Sequence, residues 1–332
     1  MSQSDLHKVR PMPDISSDFQ PPQDLSPFEV LFDTSEANPD LPAGLIRFAG
    51  NLGFPPPPSD RPWVYSNFVQ SLDGMVTFGG RHPEGRWVAQ SRHDRWMMDL
   101  LRAHAEAVIY GLSSLVQETL YSGIPGGPVF RITDPELLRL RNKLGRGQQR
   151  DIIVTGSGIL KTADYRLFQS GEVEAWIVTT PEGLKRLGDP GKARVLVFGK
   201  GRAIDLEALL HSLSREYGIR YLLCEGGPTL YSHFVRGGWM DEKFLTIAPQ
   251  EIGPVVSAAD LPPDGSAEPG ARNRLTTIAG EGFSIETAPW YRWISCRKAG
   301  DHEFNRYRRL HRNASQKASA WQVAEKSRRL SF

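Results

Sequence analysis

LLCEGGPTL, residues 222–230, decides the fold of this chain. Leu222, Leu223 and Cys224 read as the end of a buried strand. Glu225 follows, then Gly226 and Gly227. Pro228 suits the first turn of a helix, where its missing N–H would have no partner anyway. The pattern is strand, tight bend, helix. Two glycines let a phosphate come close to the backbone, and the helix start offers free N–H groups and a partial positive charge. A plain strand-to-helix turn would carry the same glycines. It accounts less well for Glu225, because a carboxylate where an apolar strand ends needs partners or a ligand. In an open α/β sheet, ligands bind at the carboxyl ends of the strands, which is where this bend falls.

The same alternation extends to both sides. WVYSNFV (63–69), AVIYG (107–111), DIIVTG (151–156), EAWIVTT (174–180), RVLVFG (194–199) and EKFLTIAPQEIG (242–253) read as strands. Helical spacing marks SRHDRWMMDLLRAHA (91–105) with Ser91 as N-cap, and SSLVQE (113–118). It also marks IDLEALLHSLSREYG (204–218), between Asp205 as N-cap and Gly218 as stop, and PTLYSHFVRGG (228–238). Apolar strands that do not alternate, separated by helices, predict an α/β fold with a mostly parallel, buried central sheet and helices on both faces. FSIETAPWYRWISCRK (283–298) and HEFNRYRR (302–309) predict antiparallel edge strands that turn at Gly300 and Asp301. YSGIPGGPVFRI (121–132) and DPELLRLRNKLGRGQQR (134–150) read as an insertion carrying a basic helix, and LPPDGSAEPGARNR (261–274) reads as a loop.

Twelve of the 25 prolines fall in the first 62 residues. Such a segment resists helix and sheet, so 1–62 reads as a Pro-rich extension and linker. Within it, FEVLF (28–32) and GLIRFAGNLG (44–53) are the pieces able to dock. The folded body is expected over 63–309, followed by a basic flexible tail, 310–332. Charge is balanced, with 40 Lys+Arg against 38 Asp+Glu, so composition points to no nucleic-acid partner. Two cysteines make no disulfide framework and fit a reducing, cytoplasmic setting. The first residues lack the apolar segment of a signal peptide, and no apolar run is long enough to span a membrane.

Other candidates for chemistry are fewer. SNFVQSLDGMV (66–76) ends a strand on Asp73 in a turn. FGKGR (198–202) lies between a strand and a helix and could hold a phosphate, or be a solvated basic turn. The histidines lack metal-ligand spacing, and there is no G-x-S-x-G elbow. From 301 on, eight basic residues stand against three acids. Without an aromatic stacking face they read as a solvated tail rather than a nucleic-acid site.

Four stretches in this order resemble one known family. VYSNFVQSLDGMV (64–76), LLRAHAEAVIYGLSSLVQE (100–118), LLCEGGPTLYSHFVRGGWMDEKFLTIAPQEIG (222–253) and GEGF (280–283) look like the reductase domain of riboflavin biosynthesis. That domain has a dihydrofolate-reductase-like fold. It forms the C-terminal half of the bifunctional bacterial deaminase-reductase and a stand-alone enzyme in archaea. The deaminase motif, H-x-E followed by P-C-x-x-C, is absent. Asn67 stands where the bacterial enzymes carry Lys and the archaeal ones Asn. The family's D-D-P-x-L-T-x-R run, which helps hold the sugar phosphate, is replaced by ETLYSGIPGGP (118–128).

The resemblance implies reduction of 5-amino-6-(5-phosphoribosylamino)uracil by NADPH, with direct hydride transfer and no metal. It implies Gly226, Gly227, Pro228, Thr229 and Leu230 at the cofactor phosphates, with Val69, Trp87, Ser114 and Glu118 also at the cofactor. Arg102 is implied on the substrate's phosphate, with Asp73 and Glu225 flanking the substrate as the catalytic pair. Lys200, Arg202, Thr155 and Ser157 are the groups expected near a 2′-phosphate. Homodimers are common in the family, and Trp290, Tyr291, Trp293 and Phe304 could form the interface. Two other readings stay open: a reductase of a folate, pterin or other heterocycle, and a non-catalytic NADPH or nucleotide sensor.

Overall fold

The structure is a computed structural model and describes residues 19–78, 85–253, 277–278 and 282–310. The loop expected over 261–274, the tail beyond 310 and Gly280 and Glu281 of GEGF lie outside the described residues. The chain runs β1 (Glu29–Asp33), α1 (Ala43–Ala49), β2 (Trp63–Gln70), α2 (Gly85–Ala89), α3 (Arg92–His104), β3 (Ala107–Gly111) and α4 (Leu112–Tyr121). It continues with α5 (Pro135–Lys143), β4 (Arg150–Thr155), α6 (Arg166–Gln169), β5 (Glu174–Thr179), α7 (Pro181–Leu184) and β6 (Arg194–Val197). Then come α8 (Leu206–Arg215), β7 (Tyr221–Cys224), α9 (Pro228–Arg236), β8 (Glu242–Ile247), β9 (Trp290–Ala299) and β10 (His302–Leu310).

Ten strands form one sheet in the order β1-β9-β10-β8-β2-β7-β3-β4-β5-β6. The seven from β8 to β6 are mutually parallel, while β10, β9 and β1 are antiparallel. The chain leaves β2, passes over one strand position to β3, and fills the gap later with β7. Strand order reverses there, which makes the carboxyl end of β7 the topological switch point.

Alternation along each strand builds two apolar layers. Tyr65, Val108 and Ile153 face a layer filled by α1, α3 and α5, through Leu45, Phe48, Trp96, Leu100, Leu137 and Leu140. Val64, Ile109 and Ile152 face the opposite layer, filled by α8 and α9 through Leu209, Leu213, Phe234 and Val235. Helix starts follow the expected chemistry: the Ser91 side chain accepts from Asp94 N–H, and Asp205 accepts from Ala208 N–H at 2.9 Å. Gly218 ends α8 at φ +64°, a conformation that costs glycine nothing.

Three segments differ from the sequence reading. The antiparallel hairpin begins at Trp290 rather than at 283, because Ser284 and Thr287 close a turn on each other's main chain ahead of it. The basic helix α5 belongs to the core and is not an inserted appendage: Leu137 and Leu140 are buried. Arg141 donates to the carbonyls of Arg102 and Ala105 at 2.8 and 2.6 Å. FEVLF is an edge strand of the sheet itself. Phe28 packs edge-on against Phe48 and Phe304, and the buried Arg297 guanidinium binds Asp33 at 2.8 Å and the carbonyl of Ala49 at 2.5 Å.

Candidate active site

Three carboxyl ends converge at the switch point: β2 leads to Asp73, β3 to the start of α4, and β7 to the Glu225-Gly226-Gly227 bend. Main-chain pairing to β3 continues one residue past β7, with Glu225 N–H donating to Ile109 O at 3.2 Å. That pairing fixes the direction of the Glu225 side chain. Its carboxylate accepts from Arg102, Nε at 3.1 Å to both oxygens and a terminal nitrogen at 2.6 Å, and from Tyr110 OH at 3.1 Å. The Arg102 and Glu225 side chains are 3% and 7% exposed. Arg102 is anchored from behind by Asp99 at 3.4 Å, and Asp99 in turn accepts from Thr133 N–H and Oγ at 2.9 and 2.8 Å. Burial disfavours the Arg102 charge, but Glu225, Tyr110 and Asp99 together outweigh it and hold the guanidinium firmly protonated. Burial and the neighbouring Glu225 charge likewise keep Tyr110 a phenol.

The glycines meet a steric demand. A Cβ on Gly226 would lie 2.6 Å from the Leu230 side chain and 3.2 Å from Gly111 N. One on Gly227 would lie 3.2 Å from Ser114 Oγ, which accepts the Gly227 N–H at 3.0 Å. The starts of α4 and α9 are thereby pressed together. Neither has a side-chain cap, Gly111 and Gly227 being the N-cap residues. Paired helix starts with open N–H groups suit an anion.

The expected site residues divide into groups. Gly226, Gly227, Pro228, Leu230 and Ser114 assemble at this junction, with Thr229 on its exposed side. Glu118 lies one turn further along α4, half-buried. Val69, near the end of β2, packs against Val88 and Ala89 of α2, which carries Trp87, 38% exposed beneath the Arg86 guanidinium. Asp73 has partners of its own. It accepts from the Ser71 hydroxyl and from the N–H groups of Ile252 and Gly253, at 3.2 and 2.6 Å, and these donors hold its pKa below the usual carboxylate range. Thr155, Ser157, Lys200 and Arg202 gather at the ends of β4 to β6, where Gly156 packs directly on the Arg202 carbonyl. The two hydroxyls are 3.2 Å apart.

Arg102, expected on the substrate's phosphate, has its guanidinium held by Glu225 and Asp99 and is buried. Tyr110, Asp99 and Thr133 escaped the sequence reading. Tyr110 sits in an apolar strand, where an aromatic reads as core, although Asp99 at i−3 of Arg102 was a visible helical pair. An open groove of about 480 Å³ between Gln20–Leu25, α3 and Thr133–Glu136 reaches Asp99 and includes neither Glu225 nor the glycine bend. Among the described residues, no helix is long and apolar enough to cross a membrane.

Sheet order and the polar cluster at its switch point define an α/β protein of the dihydrofolate-reductase-like class, which is also the fold of its structural neighbours. More narrowly, the chain belongs to the RibD C-terminal domain family, which matches residues 62–277. It is 27% identical over 194 residues to the 2,5-diamino-6-ribosylamino-4(3H)-pyrimidinone 5′-phosphate reductase of Archaeoglobus fulgidus, covering 58% of this chain and 83% of that one. It is 26% identical over 210 residues to the riboflavin biosynthesis protein RibD of Aquifex aeolicus, covering 61% and 50%. The chain thus spans about half the length of the RibD proteins it matches in sequence. Among solved structures it is similar to a pyrimidine reductase-like protein of Corynebacterium diphtheriae, with TM-score 0.56, 20% identity, and 76% and 94% of the two chains covered. It is also similar to RibD of Acinetobacter baumannii, with TM-score 0.54, 18% identity, and 76% and 59% covered.

Proposed function

We propose that this chain is a cytoplasmic reductase of a phosphorylated ribosylamino-pyrimidine, working with a nicotinamide cofactor, NADPH in preference to NADH. The observation that carries the reading is the glycine-lined junction of α4 and α9 beside a carboxylate fixed by Arg102 and Tyr110. The residues present fit the cofactor: the glycines bring two uncapped helix starts together, and an exposed indole stands at the end of β2. Gly226, Gly227, Pro228, Thr229, Leu230 and Ser114 would hold the phosphates, Glu118 the ribose side, and Val69 and Trp87 the nicotinamide side. Lys200 and Arg202, with Thr155 and Ser157, would meet a 2′-phosphate. When bound, the cofactor supplies the hydride.

The protein's own share is positioning and charge. Glu225 cannot swing, because Arg102 and Tyr110 grip both its oxygens. It would orient the sugar of the substrate and pass on the proton that the reduced centre requires. Asp73, splayed over the 252–253 backbone, would orient a second polar group. Arg102 serves this chemistry through Glu225. Of the four aromatics expected at an interface, Trp290 and Trp293 on β9 are exposed and would carry the association of two copies, while Phe304 is buried.

The test is NADPH oxidation, followed by its ultraviolet absorbance, with the oxo and diamino forms of the phosphoribosylamino-pyrimidine. Turnover of one or both is expected. Glu225→Gln should lose about 100-fold or more in kcat while keeping its cofactor affinity. Failure to oxidise NADPH with either substrate contradicts the reading.

A further inference from the structure

One buried acid in this cluster has no part in the chemistry above. Asp151, on β4, pairs with Val108 of β3 two residues before Ile153 pairs with Tyr110. Paired residues of parallel strands project to the same face, so Asp151 lies on the Tyr110 face of the sheet. It is 0% exposed. Gln149 Nε2 donates to its Oδ1 at 2.7 Å, while Oδ2 has no hydrogen-bond partner among the described residues. The Gln149 amide also donates to the carbonyl of Phe130, whose ring stacks on Tyr110 with centroids 4.5 Å apart.

The charged and titratable groups facing Asp151 are Arg102 from α3, Arg141 from α5, Glu225 after β7 and Tyr110 from β3. Both arginines are engaged elsewhere, Arg102 by Glu225 and Asp99, Arg141 by main-chain carbonyls. A buried carboxylate with one donor, an orphan oxygen and no ion pair is far less stable than the neutral acid. Burial accordingly pushes the Asp151 pKa up to about 7.

Arg102 therefore stands among three acids. With Asp151 neutral, two of them share its charge. With Asp151 ionised, a third negative charge competes for Arg102 and loosens its hold on Glu225. We propose that Asp151 is a positioning residue of the reductase site: as a neutral acid it leaves Arg102 to Glu225, and its ionisation sets the alkaline limit of turnover. The proposal rests on the reductase reading.

Asp151→Asn fixes the neutral form and keeps the acceptor for Gln149. Two measurements are made on the full chain. The first is an infrared difference titration of the carboxyl groups through neutral pH, which needs no substrate. The second is the pH profile of kcat and KM for NADPH oxidation. In the native protein we expect a carboxyl that titrates near neutrality and a kcat that falls over the same range. In Asp151→Asn both disappear, so the variant matches the native kcat in mild acid and exceeds it roughly tenfold one pH unit above the limit. Should that variant fail to fold, Gln149→Leu removes the one donor to the carboxylate and is expected to move the alkaline limb to higher pH. Absence of the native carboxyl titration, or an alkaline limb unmoved by the substitution, overturns the role of Asp151. Absence of turnover in both proteins overturns the reductase reading and this role with it.

Discussion

Glu225 and Arg102 lie 123 positions apart in sequence and end as one buried, hydrogen-bonded pair. Breaking such a pair from one side is costly, since the remaining charge stays in a poorly solvating place. Arg102→Leu should therefore lose about 3–5 kcal/mol in a urea titration, well beyond the cost of an exposed ion pair. An unchanged midpoint would mean that Glu225 finds another partner. The sequence pointed to both residues, Glu225 because an acid ended an apolar strand, Arg102 through a family motif. It did not pair them, because nothing local encodes a contact made across the sheet. Tyr110 was illegible for a related reason: in AVIYG an aromatic reads as core, and its ring is indeed core, stacked on Phe130, while its hydroxyl alone reaches the site.

Elements with strong local signals were read well. In α3, Ser91 supplies the cap and Trp96, Met97, Leu100 and Leu101 supply the buried stripe. Ser91→Ala should cost about 1 kcal/mol, measured by chemical denaturation, because one helix-start N–H loses its acceptor. No loss would show that water caps the helix equally well. The parallel strands were legible because burial on both faces leaves them continuously apolar. Elements made by tertiary packing were not. α2 has five residues and no cap signal, and it is held by Val69 and Ala248. The start of β9 depends on the turn at Ser284, which alternation of apolar residues does not register. α5 looked peripheral because it is basic, yet Arg141 is satisfied by carbonyls deep in the structure.

Across the chain, the proline count of the first 62 residues obscured how far the sheet extends. β1 covers β9, and three arginines of the antiparallel edge lean on that region: Arg297 on Asp33 at 2.8 Å, Arg308 on Glu36 at 2.6 Å, and Arg306 over the Phe54 ring at 4.7 Å. A chain starting at residue 62 should lose cooperative thermal unfolding, since the buried Arg297 would lose Asp33, while Arg306 and Arg308 would keep only Glu242. A sharp melt in circular dichroism would contradict this. The central claim concerns the bend at 225–227, where two helix starts meet to receive the phosphates of a dinucleotide. Calorimetric titration of NADPH into the native protein and into Gly227→Ala tests it directly. The account predicts saturable heat with the native protein and affinity about tenfold or more weaker in the folded variant, where a methyl stands at the helix start. No heat with the native protein, or equal affinities in the two, would contradict it.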